Sequence, residues 1–84
     1  MNAKQKKTLA RIFEKPTRAD ISWQEAVSLL SGIGAIMKEG KGPRVRFKCQ
    51  GYSLHIHAPH PEKVISKGAV DTIRDFLTDI GIML

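Results

Sequence analysis

Three histidines, His55, His57 and His60, follow an alternating run of cations, Arg44, Arg46 and Lys48, in a chain of 84 residues. An imidazole changes charge near neutrality and can take or give a proton; a guanidinium fork holds a phosphate through two parallel hydrogen bonds. Cleavage of RNA through the ribose 2′-hydroxyl needs these parts: a base for that oxygen, cations for the pentacoordinate phosphate, and an acid for the leaving group. A histidine beside two arginines is expected to be neutral near pH 7, because neighbouring positive charge disfavours its protonated form. His57 and His55 are the catalytic candidates, and Arg44, Arg46, Lys48, Lys38, Lys41 and His60 are the RNA-binding candidates. The H-x-H-x-x-H spacing also suggests a metal site, yet the run contains no Cys or acidic ligand and its surroundings are cationic, so no metal is expected. The plainer alternative is a solvated strand face that happens to be basic.

The elements around these residues decide whether they can meet. Val45, Phe47 and Cys49 alternate with Arg44, Arg46 and Lys48, and Tyr52, Leu54 and Ile56 alternate with Ser53, His55 and His57, the period of two half-buried strands. Only Gln50 and Gly51 separate the runs, so a two-residue primed turn with Gly51 at positive φ is the economical link. That turn sets Phe47 against Leu54, Val45 against Ile56, Arg46 against His55 and Arg44 against His57, with every apolar side chain on one face. Residues 35–39 can add a third antiparallel strand through Gly40, Lys41 and Gly42. The loop 58–61, with Pro59 and Pro61, would present His60 at the rim.

Helices flank the strands. Ser22 and Glu25 form a capping box that opens the pattern Trp23, Ala26, Val27, Leu30, and Gly32 and Gly34 end it. Ser66 is the expected N-cap of a last helix with Val70, Ile73, Leu77 and Ile80 in one stripe, Phe76 on its flank and Gly81 as its stop. Ahead of them, residues 4–14 place Leu9, Ile12 and Phe13 at helical spacing and halt before Pro16. The expected fold is α+β: a three-stranded antiparallel sheet with two helices on one face, α-β-β-β-α, plus an extra N-terminal helix. We divide it into a basic N-terminal extension, 1–18, and the domain proper, 19–84.

Charge placement supports a polyanionic partner. Residues 1–18 net +5, residues 38–48 net +4 and residues 71–84 net −2, within a chain total of +6. The sole cysteine, Cys49, excludes an internal disulfide and reads as a small inward hydrophobe in a reducing compartment. No apolar run approaches a membrane span of about 20 residues, and the lysine-rich start lacks a signal-peptide core, so a cytoplasmic protein is expected.

The order of these elements, Gly40-Lys41-Gly42 before the second strand, the H-x-P-H-P segment over 57–61 and the K-G-A-V opening of the last helix over 67–70 together resemble the HicA toxins. These are small ribonucleases neutralised by HicB antitoxins in bacterial toxin–antitoxin pairs. The resemblance spans residues 21–82 and implies a fold like double-stranded RNA-binding domains, cleavage of mRNA and a HicB-like partner. The family commonly carries a catalytic histidine after a Gly-Ser pair at the start of the second strand, where this chain reads Gly42, Pro43, Arg44. Arginine cannot act as a base at neutral pH. Either His57 takes that role, or the chain is a non-catalytic RNA-binding module of the same fold. A third reading, from another class, is an interaction protein whose basic patch meets an acidic partner.

Overall fold

In the computed structural model, which describes residues 1–83, the apolar period changes along the chain as the sequence does. The order is α1 (Ala3–Ile12), α2 (Trp23–Gly32), β1 (Ile36–Glu39), β2 (Arg44–Cys49), β3 (Tyr52–His57) and α3 (Lys67–Asp79), an α+β fold. The sheet is antiparallel in the order β1-β2-β3. Its β2–β3 register pairs Arg44 with His57, Val45 with Ile56, Arg46 with His55 and Phe47 with Leu54, as the two-residue turn requires. That turn places both Gln50 (φ 51°) and Gly51 (φ 84°) in the left-handed region. Sequence reasoning gave positive φ to Gly51 alone; a type I′ turn needs it at both central positions, at a cost of about 1 kcal/mol for a residue with a Cβ.

Val45, Phe47, Cys49, Leu54 and Ile56 turn toward the helices and join Ala26, Leu29 and Leu30 of α2 and Val70, Ile73, Phe76 and Leu77 of α3 in one core. Phe47 is fully buried and meets Trp23 edge to face, ring centroids 6.3 Å apart. Cys49 is buried, its thiol donating weakly to the Ile33 carbonyl at 3.8 Å. Tyr52, expected on the same inward set, is 46 % exposed, because it ends the strand beside the turn.

Both capping signals on α2 are formed. Ser22 accepts from the Glu25 N–H at 3.0 Å and Glu25 accepts from the Ser22 N–H at 3.0 Å. At the other end Gly34 takes φ +90°, and the Ala35 N–H reaches back to the Leu30 carbonyl at 3.0 Å, a Schellman closure. Gly32 has a different use. A Cβ there would lie 2.7 Å from the Gln5 side chain, so its bareness admits α1.

The basic segment 1–18 packs into the same core, with Leu9 and Ile12 buried alongside the strand residues. Gln5 fastens its start: the side-chain oxygen accepts from the Asn2 N–H at 2.9 Å, and the amide nitrogen donates to the Ser28 carbonyl of α2 at 2.8 Å. Arg74 of α3 fastens its end, donating from Nε to the Ile12 carbonyl at 2.9 Å, from its terminal nitrogens to Thr17 Oγ1 at 3.3 Å and to Asp71 at 3.0 Å. A guanidinium suits this position because it supplies several donors to carbonyls the helix end leaves without partners. No helix among the described residues is long and apolar enough to cross a membrane.

Candidate nucleic-acid interface

Pleating sends alternate residues of each strand to the face away from the helices. Register then arranges them in three rungs across the sheet: Arg44 with His57, then Lys38, Arg46 and His55, then Ile36, Lys48 and Ser53. Arg46 is half-buried between its neighbours, whereas Lys38, Arg44, Lys48, His55 and His57 are exposed.

The first two rungs are walled at one end by the β1–β2 connection. The Gly40 N–H donates to the Arg44 carbonyl at 2.8 Å, and the Arg44 N–H to the Lys41 carbonyl at 3.3 Å, which folds the loop back over the strand. Gly40 has little room for more: a Cβ would touch the Arg44 Cβ and carbonyl oxygen at 3.4 Å. On the other side the Ala58 N–H donates to the Pro43 carbonyl at 2.8 Å, tying the exit of β3 to the same loop. The result is a concavity of about 640 Å³ lined by Lys38, Lys41, Arg44, Arg46, His55 and His57.

Two sequence-derived candidates lie outside it. Lys48 stands one rung further, toward the hairpin turn, and His60 is exposed in the loop after β3, off the sheet. Glu39 also lines the concavity, the one carboxylate to do so among the described residues. Sequence reasoning did not include it, because strand alternation assigns it, opposite Val45, to the helix side; its place at the last position of an exposed edge strand brings it to the rim. Among the described residues no three His, Cys, Asp or Glu side chains gather where they could share a metal ion.

The charges of this face are not used internally. All five ion pairs among the described residues involve Arg11, Arg18 or Arg74, and none involves Lys38, Lys41, Arg44, Arg46 or Lys48. On the helical side Arg11 meets Glu25 at 2.7 Å, and Arg18 meets both Glu14 and Asp20 at 2.7 Å. Two carboxyls there are held below the usual carboxylate range, Asp20 by the Arg18 guanidinium and Glu25 first by the Ser22 N–H and then by Arg11. Like charges opposed across adjacent strands repel and give the fold nothing in return. A face of five unpaired cations and two imidazoles, open at a concavity of this size, is suited to a multiply charged anion. No protein-family model, curated protein or solved structure matches this chain.

Proposed function

We propose that this chain is an RNA-binding endoribonuclease that cleaves mRNA, the toxin member of a toxin–antitoxin pair with a HicB-like antitoxin as its partner. The observation that carries the reading is the rung pattern, which sets two imidazoles directly across from two unpaired arginines on one exposed face. Arg44 holds the non-bridging oxygens of the scissile phosphate, Lys41 adds positive charge from the loop, and Arg46 stands one rung on. His57 takes the proton of the ribose 2′-hydroxyl; its oxygen forms a bond to phosphorus while the bond to the 5′-oxygen breaks. His55, one rung on, enters the step carrying a second ring proton and gives it to that leaving oxygen, while His57 keeps the proton it took. The products are a 2′,3′-cyclic phosphate and a 5′-hydroxyl, with atoms and charge balanced and no external reductant or oxidant.

A second reading, RNA binding without cleavage, draws support from Arg44, which occupies the strand position where the resembled family has its histidine. Incubation of single-stranded mRNA fragments with wild type, His57→Ala and His55→Ala separates the two. The proposal expects wild type to cut, both variants to be slowed by about 100-fold or more, and a 2′-deoxy substitution at the cleaved nucleotide to stop cutting while leaving binding intact. Equal cutting by the variants removes the histidine assignment. Binding without cutting by wild type selects the second reading, and affinity insensitive to salt points to an acidic protein partner instead.

A further inference from the structure

Arg44, Arg46 and Lys48 form a straight file along β2, each outward and none in an ion pair among the described residues. Alternate residues of a strand stand about 6.8 Å apart. That interval is close to the separation of successive phosphates along an extended nucleic-acid strand. Across the sheet the pattern is different. The third rung offers Ile36, 66 % exposed, and Ser53 beside Lys48, so cations continue along β2 but not along its neighbours.

We infer that the ligand is single-stranded RNA lying lengthwise over β2, with three consecutive phosphates on Arg44, Arg46 and Lys48. This rests on the nucleic-acid reading above and specifies the form of its substrate. The scissile phosphate sits at the concavity, where His57 and Lys41 adjoin Arg44; the next lies over Arg46 with Lys38 beside it; the third lies over Lys48, outside the concavity. In-line displacement supports the single strand, since the 2′-oxygen, phosphorus and leaving oxygen must align and an A-form duplex holds them out of line. The outward face carries no phenyl, phenol or indole ring: Trp23 packs on Phe47, and Tyr52 belongs to the opposite face. The larger rings that commonly carry stacked bases are thus missing from this face among the described residues, and the file of cations addresses the backbone.

Fluorescence anisotropy with 2′-deoxy-blocked oligonucleotides of two to eight residues tests this in the 84-residue chain. Affinity should climb with each added phosphate as far as the tetranucleotide, which carries three, and then level off. The tetranucleotide should show a log–log salt slope of about −2, falling to about −1.4 in Lys48→Ala. Lys48→Ala should weaken the tetranucleotide about fivefold and leave the dinucleotide unchanged, because one phosphate finds its place at the first two rungs. An eight-base-pair RNA duplex should compete poorly. Binding that weakens equally for dinucleotide and tetranucleotide in Lys48→Ala, or that keeps rising to eight residues, overturns the lengthwise arrangement while preserving RNA binding. No binding at any length in low salt overturns the nucleic-acid reading itself.

Discussion

The two basic regions of this protein have nearly equal net charge in sequence, and the structure treats them in opposite ways. In the first 18 residues the arginines are bound internally, Arg11 to Glu25 and Arg18 to Glu14 and Asp20, and α1, which carries Arg11, contributes Leu9 and Ile12 to the core. On β2 and its neighbours the cations have no ion-pair partner among the described residues, and they crowd one another across the sheet. The arginines are structural in one place and available in the other, while Lys4, Lys6, Lys7 and Lys15 of the first region are exposed and take part in none of the ion pairs among the described residues. Net charge over a window is thus a poor guide to a binding surface. What separates the two cases is whether carboxylates lie within reach once the chain is folded.

Substitutions in the two regions should therefore divide stability from binding. Arg74→Ala strips the Ile12 carbonyl, Thr17 and Asp71 of a donor that is mostly covered, and should lower unfolding free energy by about 2–3 kcal/mol in urea titration without changing RNA affinity per folded molecule. Arg46→Ala should do the converse, weakening RNA about tenfold while shifting stability by less than about 0.5 kcal/mol, since repulsion is removed with the charge. If Arg46→Ala unfolds the protein instead, the sheet face is structural and the contrast between regions fails.

Acidification should act on the helical side through Glu25. Glu25 is held below the usual carboxylate range, so the stability it adds is complete above its unfolded-state value and disappears as pH falls through its folded-state value. Thermal unfolding followed downward from pH 5 should show a shallower loss in Glu25→Gln, which keeps the capping geometry and cannot titrate. The smallest effect is expected for Lys7→Ala on the exposed side of α1: under about 0.3 kcal/mol in stability and less than twofold in RNA binding. A large binding loss there would extend the RNA contact to α1.

Much of this was legible in the residues. The capping box at Ser22, the stripe from Val70 to Ile80 and the Gln50-Gly51 link fixed elements and register, because local chemistry leaves each few alternatives. From that register the rungs Arg44–His57 and Arg46–His55 followed directly. What stayed hidden depends on contacts distant in sequence. Nothing local marks Gly32 as the seat of Gln5, Arg74 as the clasp of α1, or Arg11 as the partner of Glu25. The concavity's wall was hidden for the same reason, since Gly40 closing on Arg44 is a backbone approach that side-chain patterns do not report.

The clasp by Arg74 bears on the order in which the chain can assemble. A ten-residue helix such as α1 is marginal in water by itself. The guanidinium that receives its terminal carbonyl arrives 62 residues later, so α1 must await α3 before this end of it is fastened. Until then the core that Ile12 and Leu9 join lacks its α3 side, and nascent chains or chains shortened before α3 should be the forms most prone to clump or to be captured by chaperones.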